Sequence, residues 1–237
     1  MSRFRRAAWL AREGHYGALL RRLRIRLWRD YLAFGLEYDL RVPVRAGVPR
    51  LPVEVRPIKP EDVPIFVALP PAEGPRADAI LRANARHLLQ SGLQTCYVGV
   101  TDEGPVYMQF LVTPDQNDRL ATVFGELFPP LMEDEGLLEF AYTLKEHRTR
   151  PVMPSVLVRL LEIAAGNGLT RVVTYVPARH VNFVRFFLRL GFVPFAARIE
   201  KYRFLRRKVE FRPLDRNLAE PLSAPAGIEA VMVSILH

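Results

Sequence analysis

The sequence holds a single cysteine, Cys96, in 237 residues, which excludes a disulfide within the chain and a cysteine-rich zinc site. It has no apolar run near the roughly 18 residues that a membrane-spanning helix needs. Its first residues lack the apolar stretch of about 7–15 residues that a secretory signal carries. The His, Asp and Glu residues show no metal-ligand spacing. We therefore expect a cytoplasmic protein with no transmembrane segment and no bound metal.

The composition is that of a folded globular chain, with 49% hydrophobic and 25% charged residues, and this balance excludes disorder of the whole chain. The net charge is +9, and residues 1–30 carry +7 of it through nine arginines and two acids. Three interpretations of this basic segment stay open. It is a helix packed on the domain through a Leu/Trp stripe, a contact for nucleic acid, or an amphipathic helix on an anionic membrane surface.

Proline and glycine positions divide the chain into three predicted parts. Residues 1–50 are predicted to form basic helices, a strand at 31–39 and a linker. Residues 51–206 form the main domain. Residues 207–237 form a C-terminal tail that ends in the apolar run 228–236. We interpret this run as an added strand or as a segment that packs against a partner, so the tail leaves a homodimer open.

The predicted secondary structure gives an α/β (α+β) fold class, with a mixed central sheet and flanking helices. A strand–helix–strand unit in the second half favours parallel pairing, whereas the turn at 102–104 predicts an antiparallel hairpin. Strands are predicted at 53–58, 94–101, 105–113, 136–145, 170–176 and 192–205. Helices are predicted at 3–13, 16–29, 60–69, 76–91, 117–128, 154–166 and 179–190.

Three short blocks in the second half carry a recognisable pattern. The loop 147–153 (HRTRPVM) follows a predicted strand and opens a predicted helix. The block 168–173 (GLTRVV) enters the next strand, and the block 187–192 (FLRLGF) ends the next helix. In their order and spacing, these blocks and the elements over 53–205 resemble the GNAT superfamily of acyl-CoA-dependent N-acyltransferases.

The resemblance implies transfer of an acetyl or other acyl group from acetyl-CoA, or another acyl-CoA, to an amine in a ternary complex. In this family the loop opens a helix and cradles the CoA pyrophosphate. A helix N-terminus suits that task, because its first amides lack partners and its dipole favours negative charge. The resemblance places the following residues in the acyl-CoA site: Leu144, His147, Arg148, Thr149, Arg150, Val152, Met153, Pro154, His180 and Phe187.

The loop departs from the family pattern. Thr149, Pro151 and Met153 stand where the family usually has small residues, and Pro151 has no amide hydrogen. We expect Arg148 and Arg150 to contact phosphate oxygens directly in place of the missing amide contacts.

The chemistry departs from the pattern as well. Phe187 stands where many members have a tyrosine that protonates the leaving thiolate. This substitution keeps a second hypothesis open, a catalytically degenerate binding module of the same fold. Such a module docks on a polyanion or an acidic partner through residues 1–30.

Acylation of an amine needs a base that removes a proton from the nucleophile. Glu139 lies within the predicted strand 136–145 and Glu135 lies just before it, so both are candidate bases. The alternatives are a solvated loop for Glu135 and a solvent-facing side chain for Glu139. Tyr142, on the same strand, is a third candidate for proton transfer. Cys96 is interpreted as a core residue.

Overall fold

The computed structural model describes residues 28–43, 51–68, 76–204, 206–224 and 227–236. The predicted basic helices fall at 1–27, and most of the predicted linker falls at 44–50, so both lie outside the described residues.

The described residues form one eight-stranded sheet in the order β2-β3-β4-β5-β6-β1-β7-β8. Its strands are β1 Trp28–Asp39, β2 Glu54–Pro57, β3 Cys96–Thr101, β4 Gly104–Val112, β5 Glu135–Thr143, β6 Arg171–Pro177, β7 Val193–Arg203 and β8 Arg206–Pro213. All neighbouring strands pair antiparallel except β5 and β6, which are parallel. The sheet takes strands from each of the three predicted parts of the chain, whose limits stay predictions.

Helices cover both faces of the sheet, which confirms the predicted fold class. They are α1 Val63–Val67, α2 Arg76–Leu89, α3 Asn117–Phe124, α4 Val152–Gly166, α5 Val181–Leu190, α6 Ala219–Ser223 and α7 Gly227–Leu236. Residues of α4 to α7 share a core with one face, and residues of α1 to α3 share a core with the other. Gly191 ends α5 with φ +111°, a left-handed conformation that glycine adopts without steric cost.

The parallel pairing of β5 and β6 covers three residue pairs only, from Glu135–Arg171 to Leu137–Val173. Beyond Leu137 the two strands are no longer paired. The pairing of β5 with β4 shifts register near Phe140, which has a φ of +54°, so β5 carries a bulge there. The bulge and the gap beside it set the geometry of the candidate site.

Two predictions near the chain ends are wrong, and one strand was not predicted. The run 228–236 lies in helix α7 and not in a strand, because Ile228, Val231 and Ile235 repeat at helical spacing and are buried. The strand β8 lies within the predicted tail. Trp28 and Arg29 belong to β1, although the helix prediction extended to residue 29.

Candidate active site

The bulge in β5 brings Glu139 and Tyr142 to one face of the sheet. Glu139 pairs with Phe110 and Tyr142 pairs with Met108, and both partners belong to the core under α1 to α3. Strict alternation would have placed residues three apart on opposite faces. The extra residue in the bulge shifts the alternation by one position, so Glu139 and Tyr142, two of the predicted catalytic residues, share a face.

Glu139 is a partly buried carboxylate without an ion pair among the described residues. Burial raises its pKa to about 7, while the charge of Arg198 and the amide of Phe140 act in the opposite direction. Among the described residues, no arginine or lysine lies within 4.0 Å of its carboxylate. A carboxylate that titrates near neutral pH is suited to accept a proton from a reacting group.

Tyr142 belongs to a hydrogen-bonded cluster around Asp78 on α2. The Tyr142 hydroxyl donates to Asp78 Oδ1 at 3.3 Å, and Arg82 and Arg148 donate to the same carboxylate at 2.9 and 2.6 Å. Burial opposes the charge of Asp78, but the two arginines outweigh it and lower the pKa of the carboxyl. Burial raises the pKa of Tyr142 to about 12, so its hydroxyl keeps its proton.

Asp78 was missed by sequence reasoning. The signal available was its spacing of four residues from Arg82 on a predicted helix, which is a common surface pair. Its other partners, Tyr142 and Arg148, lie 64 and 70 residues away along the chain. Only the fold brings these groups together.

The loop before α4 holds both predicted phosphate-binding arginines, and each already has a carboxylate partner. Arg148 pairs with Asp78, and its Nε also donates to the carbonyl of Thr143 at 3.1 Å. Arg150 pairs with Glu103 in the turn between β3 and β4, and lies 3.4 Å from His147 Nδ1. A phosphate group would have to take the place of these carboxylates.

The first turn of α4 offers few backbone donors. Pro151 and Pro154 have no amide hydrogen. The amides of Val152 and Ser155 donate to the carbonyls of Arg150 and Pro151 at 2.8 and 3.4 Å. The residues present therefore fit a phosphate-bearing group through arginine side chains at a helix N-terminus, and not through a cradle of backbone amides.

The other residues of the predicted acyl-CoA site divide into buried and accessible groups. The side chains of Val152, Leu144 and Phe187 are buried in the core. Phe187 packs edge-on against Phe192, with ring centroids 4.9 Å apart. The accessible or partly accessible residues around the starts of α4 and α5 are His147, Thr149, Met153, Pro154 and His180. Their contact with an acyl-CoA stays a prediction.

Glu135 lies at the opposite end of β5 from this loop. Arg171 binds it at 2.8 Å and also binds Glu37 of β1 at 2.5 Å. Burial raises the pKa of Glu135, and Arg171 acts in the opposite direction. A cavity of about 380 Å³ opens beside this ion-pair cluster, and a smaller one of about 140 Å³ adjoins it through Met132, Glu135 and Arg171. The structure thus separates the two candidate glutamates.

Within the part of the chain that the structure describes, no helix is long and apolar enough to cross a membrane. In the same residues, no three His, Cys, Asp or Glu side chains converge as a metal site would require. Cys96 is buried in the core, in agreement with its interpretation.

No protein-family model matches the chain, and a search of the curated proteins returns no match. Among solved structures, it is similar to a GCN5-related glucosamine N-acetyltransferase region of a fungal multi-domain β-N-acetylglucosaminidase. The identity is 16% over 72% of this chain and 21% of that chain, with a TM-score of 0.51. It is also similar to a GCN5-related N-acetyltransferase from Sphaerobacter thermophilus, at 15% identity over 78% of this chain and 56% of that chain, with a TM-score of 0.45.

A third similar structure is a functionally unknown conserved protein from Staphylococcus epidermidis, at 10% identity over 77% of this chain and 65% of that chain, with a TM-score of 0.46. The chain spans less than two thirds of each of these three structures. Identities this low show the fold alone. That fold is a mixed α+β fold of the kind found in GCN5-related N-acetyltransferases.

Proposed function

We propose that the chain is an acyl-CoA-dependent N-acyltransferase that transfers an acyl group, acetyl in the first instance, directly to an amine in a ternary complex. One observation carries the proposal. Glu139, a partly buried carboxylate without an ion pair among the described residues, lies on the strand that leads through an arginine-bearing loop into the start of α4. One short segment therefore carries both Glu139, which can accept a proton from an amine, and the N-terminus of α4, which favours an anion such as phosphate.

Glu139 acts as the base in this proposal. Attack of the amine on the thioester forms a C–N bond and breaks the C–S bond, and the nitrogen loses a proton to the Glu139 carboxylate. A pKa of about 7 makes Glu139 a stronger base than an ordinary glutamate and leaves it partly ionised at neutral pH. The thiolate takes its proton from water, because Phe187 has none to give and Tyr142 donates its own to Asp78.

Arg148 and Arg150 supply the positive charge for the phosphates of the acyl-CoA. Each exchanges a carboxylate partner for a phosphate oxygen, and the N-terminus of α4 adds its dipole. A hydrogen bond to a charged group contributes about 1.5–3 kcal/mol, so the loss of either arginine is expected to weaken binding about 10- to 150-fold. The acyl-CoA supplies the activated thioester, and the residues of this chain hold it and receive the proton.

The test is transfer of acetyl from acetyl-CoA to a panel of primary amines, with the products identified by mass spectrometry. Glu139→Gln is expected to lower kcat/KM about 100-fold or more, because it removes the base and keeps the shape. Glu126→Gln, at an exposed acid outside the site, is the matched control and is expected to have no effect. Absence of transfer to every amine would contradict the proposed function, and full turnover by Glu139→Gln would contradict the role of Glu139.

A second candidate function is a binding module of the same fold that has lost turnover. It is favoured by the two prolines in the first turn of α4 and by the carboxylate partners of both arginines. In this case the basic segment 1–30 supplies the contact with a polyanion, and residues 1–27 are the part of it that precedes β1. Deletion of 1–27 is then expected to abolish salt-sensitive retention on heparin, whereas acetyl transfer by the purified protein would remove this candidate.

A further inference from the structure

A small cavity of about 140 Å³ lies on the same face of the sheet as Glu139, and we name it the ring pocket. Its floor is formed by Leu137 of β5, Val173 and Tyr175 of β6, and Phe195 of β7. The segment 128–132 covers it. An apolar cavity of about 150 Å³ can hold benzene. The ring pocket, whose walls are apolar apart from Glu135 and Arg171, therefore has the size for a single six-membered ring.

The ring pocket contains one polar side chain without a partner. Tyr175 is 7% exposed, and among the described residues nothing forms a hydrogen bond with its hydroxyl. Its ring is held by edge-on contacts with Phe128 and Phe195, at centroid distances of 5.6 and 5.9 Å. The ring is buried, but the hydroxyl oxygen is accessible and has no hydrogen bond with the described residues, so it is available to bond to a ligand in the cavity.

A glycine makes room for this arrangement. Gly35 of β1 is the register partner of Tyr175. A Cβ atom at Gly35 would come within 3.0 Å of the rings of both Tyr175 and Phe195. The absence of a side chain at this position lets the two rings lie over the strand and shape the pocket.

The charges beside the ring pocket differ at its two ends. Glu135 and Glu139 lie two residues on either side of Leu137 along the same face of β5. Arg171 neutralises Glu135, whereas Glu139 has no ion pair among the described residues. Two residues of strand span about 7 Å. An amine beside Glu139 would therefore lie about 7 Å from a ring held over Leu137. Arg198 packs over the rings of Phe128 and Tyr175. The charge of Arg198 acts on Glu139, so it favours the neutral, nucleophilic form of that amine.

We propose that the ring pocket binds the acceptor, which is a primary amine joined by a short linker to one six-membered ring. The ring lies between Leu137 and Tyr175, the amine lies beside Glu139, and a polar substituent on the ring bonds to the Tyr175 hydroxyl. This assignment rests on the proposed function for the transfer step. Binding of the amine itself does not require acyl-CoA.

The experiment is calorimetric titration of the full chain with three probes: n-butylamine, 2-phenylethylamine and tyramine. The wild type is expected to bind 2-phenylethylamine at least 10-fold more tightly than n-butylamine, because only the former buries a ring. Tyramine, which adds a ring hydroxyl, is expected to bind about 2- to 10-fold more tightly again. In Tyr175→Phe this last gain is expected to disappear, while the preference for a ring remains.

Two further variants separate a blocked pocket from a damaged fold. Met132 is 68% exposed at the mouth of the pocket, so Met132→Trp is expected to block the ring and to preserve folding. It should weaken binding of 2-phenylethylamine about 10-fold. Ile80→Trp, at an exposed position on α2 away from the pocket, is the control and should leave binding unchanged.

Equal affinities for 2-phenylethylamine and n-butylamine would overturn the assignment, as would unchanged binding in Met132→Trp. Failure of the two proposals can be told apart. If the ring amines bind as expected and no acetyl is transferred, the ring pocket stands and the proposed function fails. If acetyl is transferred equally to amines with and without a ring, the proposed function stands and the ring pocket fails.

Discussion

Two glutamates on one face of β5 have contrasting surroundings. Burial raises the pKa of both Glu135 and Glu139. Arg171 forms an ion pair with Glu135, but among the described residues Glu139 has no such partner. A buried carboxylate with a fixed cation stays charged and joins elements of the fold. One without a cation titrates near neutral pH, which is the property that proton transfer requires.

The largest effect on stability should come from removing Arg171, the cation that pairs with Glu135 at one end of β5. Arg171→Met removes the cation that Glu37 and Glu135 share, and should lower the free energy of unfolding by about 3 kcal/mol at pH 8. The loss should be smaller at pH 5, because burial raises the pKa of Glu135, which without Arg171 then binds a proton more readily in the folded protein. Urea unfolding at both pH values measures this, with the exposed Arg159→Met as control. Equal losses at both pH values would contradict the account.

Asp78 extends the comparison to a third buried carboxylate, which has two arginines. Asp78→Asn removes the charge that Arg82 and Arg148 share and should lower the free energy of unfolding by about 2.5 kcal/mol. The exposed Asp118→Asn on α3 should change it by less than about 0.5 kcal/mol. Chemical denaturation of the three proteins measures both effects. A loss for Asp78→Asn no larger than that of the control would show that the cluster is not structural.

Glu139, which has no ion pair among the described residues, is expected to make the stability of the wild type decrease as the pH rises. The folded pKa of Glu139 is about 7, above its unfolded value, so stability is present below about pH 4.5 and is lost as the pH rises through 7. Glu139→Gln removes this dependence and should be more stable than the wild type at pH 8. We expect a gain of about 2 kcal/mol, because Glu139 is only partly buried and solvent screening reduces the full difference of about 3 kcal/mol. Near pH 4.5 the two should be nearly equal. If urea unfolding gave the wild type and Glu139→Gln parallel pH profiles, the prediction that folding raises the pKa of Glu139 would be wrong.

The smallest effect should come from the tyrosine beside Asp78. Tyr142→Phe removes one hydrogen bond of 3.3 Å and should cost about 1 kcal/mol in the free energy of unfolding. It should leave acetyl transfer within about 10-fold of the wild type, because the hydroxyl proton is held by Asp78. A loss of transfer of 100-fold or more would instead restore Tyr142 as a catalytic residue.

The sequence was most informative where local rules decide the structure. The α4 and α5 helices, their terminal glycines and the β3–β4 hairpin follow from periodicity and turn residues, and the structure has them close to the predicted positions. At 228–236 the apolar run was interpreted as an added strand or as a segment that packs against a partner, but the burial of every third or fourth side chain against the core selects a helix. Tertiary packing overrides local propensity there.

The candidate site was less predictable, because its geometry depends on long-range contacts. A period of two along β5 does not reveal the bulge at Phe140 that moves Tyr142 to the face of Glu139. Nor does it reveal that Arg171 neutralises Glu135 and leaves Glu139 alone. The arginines of the loop were identified as charged groups, but their partners Asp78 and Glu103 come from distant segments.

The most direct test of the central claim is calorimetric titration of acetyl-CoA into the full chain, into Arg148→Ala and into Arg159→Ala. Arg159 is exposed on α4, the helix that follows the loop, and it pairs with Glu162. It therefore controls for the loss of one positive charge. The account predicts binding to the wild type, an affinity about 10- to 150-fold lower in Arg148→Ala, and no change in Arg159→Ala. Absence of binding to the wild type up to millimolar acetyl-CoA, or equal affinity in Arg148→Ala, would contradict it.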